Sequence, residues 1–163
     1  MPEKIYILTG PIRSGKTTML SRWSADKKDV FGILTPVVNG KRVFMDVFTK
    51  EQFSMEAEPG EKNVFTIGQF VFSKRSFEKA IAILKKAEQN DKGWLLVDEA
   101  GPLELEGKGF SGILKIILNS MNSFNLIIVV RESLTEKTIE HFNIDKNKLV
   151  IVKPGHSLFE SLS

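Results

Sequence analysis

A chain of 163 residues with 42% hydrophobic content has room for one domain with a sizeable core and is too short for two ordinary ones. It contains no cysteine, which excludes a disulfide framework and any cysteine-based zinc site, and leaves only His141 and His156 as imidazole ligands. The net charge of +3 comes from dispersed pairs such as Lys27-Lys28, Lys41-Arg42, Lys74-Arg75 and Lys85-Lys86, so no basic stripe points to nucleic acid.

Residues 4–9, "KIYILT", form a short β-rich run of the kind a buried parallel strand gives. The chain enters this strand without a signal peptide's three regions, and no apolar run reaches membrane-span length. The expectation is a cytoplasmic protein with no membrane partner, organised as a single domain over residues 1–163.

The strand breaks into Gly10, four residues, then Gly15-Lys16-Thr17, which fits the phosphate-binding loop (Walker A) pattern G-x-x-x-x-G-K-[ST]. A helix is expected from Gly15 onward, and its first turn would turn free N–H groups and the positive end of its dipole toward an anion. The candidate nucleotide-binding stretch is Gly10, Pro11, Ile12, Arg13, Ser14, Gly15, Lys16, Thr17 and Thr18. In such a loop the lysine reaches the β- and γ-phosphates and the threonine hydroxyl reaches Mg²⁺. The Arg13 side chain suits either a phosphate contact or an outward, solvated position while the backbone binds.

Residues 30–38 and 42–49 are two β-rich runs joined by "NGK", and Asn39-Gly40 is a hairpin signal, so this pair is predicted antiparallel. Residues 64–72 form a third run, interrupted by Gly68, which implies a bulge or two short strands. Phe77, Ala80, Ile81, Leu84 and Ala87 recur at helical spacing. A short apolar run, "WLLVDEAG" over residues 94–101, ends in two acids and is followed by a helical pattern from Phe110 to Met121. Residues 126–130, "LIIVV", read as another buried strand. Ser133 and Glu136 have capping-box spacing before a helix through about Phe142. Residues 149–152 form the last strand, and Ser157 with Glu160 has the spacing to cap a terminal helix.

Alternating apolar strands and helices imply an α/β fold with a mostly parallel sheet, helices on both faces and an antiparallel hairpin. Ligands of such sheets bind at the C-terminal strand ends, where Thr9, Asp98 and Arg131 are all expected. Asp98 fits the aspartate that holds Mg²⁺ beside the loop hydroxyl in P-loop proteins, making Thr17 and Asp98 the candidate metal ligands. Glu99 is the candidate general base for water, the alternatives being an outer partner of the metal or a salt bridge to a lysine. Arg131 suits either contact with the γ-phosphate or solvation at the strand end. Lys16, Glu99 and Arg131 are thus the candidate catalytic residues. His141 beside Phe142 reads as structural, and His156 as a residue that could approach the base.

Together, "TGPIRSGKTT", "GILTP" before the hairpin, and "LLVDEAGPLEL…GF" resemble the small P-loop nucleoside-triphosphatases first described from thermophiles, whose vertebrate relatives are called cancer-related nucleoside-triphosphatase. The resemblance covers nearly the whole chain and is most specific at the acidic strand, through Gly101, Leu103, Glu104 and Leu105. It implies a RecA-like sheet, slow Mg²⁺-dependent hydrolysis of ATP, GTP and other nucleoside triphosphates, and broad tolerance of the base. It marks Lys16 and Thr17 as phosphate and metal residues, Asp98 as the metal aspartate and Glu99 as the base, and matches Arg131 to a basic position. Glu104 is marked too, as either a loop-stabilising or a catalytic group. Two departures stand out. Ile12 and Arg13 replace a proline and a glycine common in relatives, and the usual histidine-arginine cluster is missing after Arg131.

Two other functions share these residues. A nucleotide or nucleoside kinase would replace water by an acceptor hydroxyl, but the five arginines form no arginine-rich lid. A nucleotide-switched binding module would hydrolyse little, and the adjacent Glu99 argues against it.

Overall fold

The computed structural model describes residues 3–11, 14–121 and 123–155. Five strands run parallel: β1 (Ile5–Gly10), β2 (Val30–Leu34), β8 (Trp94–Ala100), β9 (Asn125–Arg131) and β10 (Leu149–Val152), in the order β10-β1-β9-β8-β2. The sheet continues antiparallel through β4 (Lys41–Asp46) to β3 (Val37–Val38), with β5 (Gln52–Ser54) also on β4. A second, two-stranded sheet pairs β6 (Val64–Ile67) with β7 (Phe70–Ser73). Gly68 therefore separates two short strands.

Both faces of the parallel strands are covered, which is why those strands read as continuous apolar runs rather than alternating ones. Helix α1 (Lys16–Ser24) sets Leu20 and Trp23 against Leu8, Leu96 and Val129 on one face. On the other, α2 (Lys74–Ala87) and α4 (Ser111–Ser120) set Phe77, Leu84, Ile113 and Ile117 against Ile7, Val97 and Ile128. A short helix α3 (Pro102–Leu105) follows β8, and α5 (Thr135–His141) follows β9 through a 3₁₀ turn at Glu132–Leu134. No helix among the described residues is long and apolar enough to cross a membrane.

Several sequence expectations change at element ends, each for a local reason. The run over residues 30–38 divides because Thr35 turns its N–H to the Asp98 carboxylate and Pro36 has no N–H to give a ladder. The run over residues 42–49 stops at Asp46, whose side chain accepts from the N–H groups of Phe48 and Thr49. Asn39 and Gly40 both have positive φ, 52° and 77°, as a tight hairpin turn requires. The Ser133–Glu136 capping box does not form, since both residues lie past the strand in the 3₁₀ turn and the start of α5, and no side chain caps α5. The expected terminal helix after Ser157 lies outside the described residues.

Candidate functional site

Strand β1 delivers Gly10 to the sheet's C-terminal edge in register with Arg131 of β9. The chain turns through Pro11 and Ser14, and Gly15 takes a left-handed conformation with φ 84° that opens α1. The first helical hydrogen bond runs from the Met19 N–H to the Gly15 carbonyl at 2.9 Å. The N–H groups of Lys16, Thr17 and Thr18 thus precede the helical ladder, where an anion is the natural acceptor. The loop closes on the Lys16 ammonium, which donates to the carbonyls of Gly10 (3.1 Å) and Pro11 (2.9 Å) and to Ser14 Oγ (3.4 Å).

Asp98 joins this loop to the central strands. Its Oδ2 accepts from the Thr17 hydroxyl at 2.7 Å and from the Thr35 N–H at 3.1 Å. Its Oδ1 is buried and has no hydrogen-bond partner among the described residues. Burial raises the Asp98 carboxyl above its usual value, against the two threonine bonds and the Lys16 charge, which lower it. A cation at Oδ1 would remove that penalty. Mg²⁺ suits the donor set, because this metal takes one or two carboxylates, keeps several waters and fills its sphere with phosphate oxygens. No cluster of three or more histidine, aspartate or glutamate side chains that could hold a metal occurs among the described residues, so the protein donors would be Thr17 and Asp98.

Glu99 follows on the edge-facing side of β8, at an irregularity where Asp98 pairs with Val129 and Ala100 with Val130. Burial, then the neighbouring Asp98 charge, raises its carboxyl, while Arg131, Arg42 and Lys16 lower it. The Arg131 guanidinium stands 3.7 Å from Glu99 Oε1. Glu104, in contrast, is 4% exposed and braces the loop after β8: Oε1 accepts from the Gly101 N–H at 2.8 Å and Oε2 from the Phe110 N–H at 2.9 Å.

A cleft of about 900 Å³ runs between Ser14, Lys16, Thr17 and Thr18 on one side and Glu99 and Arg131 on the other, a volume typical of small-molecule sites. A cavity of about 60 Å³ adjoins it at Arg42, Glu99 and Arg131, with Asp98, Phe70, Phe72, Phe77 and Phe110 in its wall. Of the predicted residues, Gly10 and Pro11 contribute carbonyls to the Lys16 cage, while Ile12, Arg13 and His156 lie outside the described residues. Thr9 is not part of the convergence. It is 3% exposed and its hydroxyl pairs with that of Thr135 at 3.0 Å, because strand alternation turns it under the edge toward α5. His141 is exposed at the end of α5 with its ring 4.7 Å from that of Phe142.

Sequence reasoning missed two groups at the site. The Thr35 N–H is one, and the break at "TP" was its signal. The other is Arg42, which lines both the cleft and the small cavity. Beside Lys41 it looked like one more dispersed basic pair.

A parallel sheet with a lysine-bearing glycine loop after its first strand, facing an acid at the end of a central strand, is the P-loop nucleotide-binding fold. Residues 5–155 match the family described as NTPase, and the chain belongs to that family. The fold is similar to that of THEP1 from the hyperthermophile Aquifex aeolicus, with a TM-score of 0.76 and 18% identity over 98% of this chain and 96% of that one. No match was found among curated proteins. Membership of the family makes nucleoside triphosphate hydrolysis the general activity.

Proposed function

We propose that this chain is a Mg²⁺-dependent nucleoside-triphosphatase that cleaves ATP, GTP and related nucleotides to diphosphate and phosphate, using water as the acceptor. The observation that carries the reading is the 2.7 Å bond from the Thr17 hydroxyl to Asp98, which joins loop and central strand while leaving Asp98 Oδ1 buried without a partner among the described residues. Bound Mg²⁺ would offset charge on the phosphates. The chain's own residues do the rest. The N–H groups at the start of α1 receive phosphate oxygens, and Lys16 exchanges loop carbonyls for the terminal phosphates. Thr17 and Asp98 would hold the metal.

Glu99 orients the attacking water and accepts its proton. It follows Asp98 on β8 and lines the cleft. Arg131 keeps Glu99 in place and lies where charge gathers on the transferred group. The 60 Å³ cavity beside Glu99 has room for a few waters.

Glu99→Gln tests the reading, because it keeps the side chain's shape and removes the group that takes the proton. The expected result is a single-turnover rate lower by about 10² to 10⁴, with nucleotide affinity changed by less than about tenfold, or roughly 1.4 kcal/mol. Equal losses in rate and affinity would make Glu99 a binding residue. No loss in either would leave a nucleotide switch as the better account.

A further inference from the structure

Among the described residues four cations line the cleft, Lys16, Arg22, Arg42 and Arg131, and two of them have local partners. Lys16 is held by loop carbonyls and Arg131 stands against Glu99. Arg42 is a third. It comes from the antiparallel hairpin, far from the phosphate loop in sequence, and among the described residues no carboxylate lies within ion-pair distance of its guanidinium.

Its placement is well determined by the chain around it. The Arg42 N–H donates to Glu56 Oε2 at 2.8 Å and its carbonyl accepts from the Met55 N–H at 3.2 Å. The side chain lies over the ring of Phe70, with the guanidinium carbon 5.3 Å from the ring centroid. Phe70 belongs to β7, which the chain ties back through a bridge between Glu56 and Phe72. A guanidinium on an aromatic face keeps its edge donors free, and the fork suits phosphate oxygens. That edge borders the same cleft as Thr17, Glu99 and Arg131.

We propose that Arg42, set on the Phe70 ring, is a substrate-contacting residue that binds the terminal phosphate from the hairpin side, opposite Lys16, and makes the site select triphosphate over diphosphate. This rests on the phosphate-loop reading above. Lys16 and the helix N-terminus would reach the β-phosphate that di- and triphosphates share, whereas the Arg42 fork, with no carboxylate paired to it among the described residues, would meet the terminal phosphate alone. Phe70 is then a positioning residue.

The test measures turnover and the Mg²⁺-dependent binding of ADP and of a non-hydrolysable ATP analogue by Arg42→Ala, with Lys16→Ala in parallel. Arg42→Ala should lower kcat by about 10²-fold, as loss of one donor to a developing charge does. It should weaken the triphosphate analogue by about tenfold or more, in keeping with loss of a charged hydrogen bond, and leave ADP affinity within about twofold. A purely structural role would weaken both nucleotides together. If Arg42→Ala lowers Tm by more than about 5 °C, Arg42→Lys supplies the same readout, keeping charge and stem while losing the fork. Phe70→Leu should reproduce part of the lost selectivity. Parallel losses for ADP and the analogue, or turnover within about threefold of the unmodified protein, overturn the role of Arg42. Turnover retained in Lys16→Ala would instead overturn the phosphate-loop reading and the Arg42 role with it.

Discussion

Glu104 is a carboxylate with two backbone donors and almost no water. Desolvation outweighs the N–H groups of Phe110 and Gly101 and pushes its value up to about 7 from the ordinary 4.5. An acid raised in the folded state binds more protons folded than unfolded within that window, so its contribution to stability is complete below pH 4.5 and is lost as pH rises toward 7. Glu104→Gln resembles the protonated acid and cannot titrate. Urea unfolding at several pH values should show the unmodified protein losing up to about 3 kcal/mol relative to Glu104→Gln between pH 4.5 and 7, and parallel curves below that window. A constant difference at all pH values would mean that Glu104 does not titrate there. Sequence reasoning placed Glu104 beside the site and left its role open, because its partners' N–H groups lie on either side of a loop whose path only the packing defines.

At the level of elements, the hairpin that extends the parallel sheet and the separate β6–β7 hairpin are held down by aromatic rings. Phe77 of α2 meets Phe44 of β4, Phe65 of β6 and Phe110 at centroid distances of 5.0, 5.2 and 5.2 Å. It therefore joins both hairpins to the helix layer, at the wall of the cavity beside Glu99. Phe77→Ala should cost about 3–5 kcal/mol in chemical denaturation, the range for deleting a buried aromatic. A cost below about 1 kcal/mol would show that the cluster does not anchor the hairpins. The parallel strands, α2 and the Asn39-Gly40 turn were legible because each carries its own periodicity or turn chemistry. Strand β5 and helix α3 were not: "QFS" and "PLEL" are too short to show a period and exist by virtue of β4 and of the Glu104 brace.

For the whole molecule, the Thr17–Asp98 bond spans 81 positions of sequence and connects the start of α1 to the sheet's centre. A Mg²⁺-nucleotide seated there would bind the folded chain alone, and at a hundredfold excess over Kd should stabilise it by about 2.7 kcal/mol. The rise in Tm should need both nucleotide and Mg²⁺. Asp98→Asn should shrink it and shift the Mg²⁺ titration to higher concentration, since an amide is a poorer ligand for a hard cation. A metal titration identical to that of the unmodified protein would remove Asp98 from the metal.

Features encoded over a few residues could be read directly: the G-x-x-x-x-G-K-T loop between strand and helix, the buried strands, the acid pair at the end of one of them, and the hairpin. Those signals work locally because strand burial, turn conformation and helix spacing act between near neighbours in the chain. The tertiary structure alone decided which strand lies beside which, and with it the Thr35 N–H on Asp98, the withdrawal of Thr9 to Thr135, and the arrival of Arg42 at the cleft. Each of these depends on register and on side-chain facing across a sheet, where a one-residue slip reverses the face, and that is settled only when the two faces of the sheet are packed together.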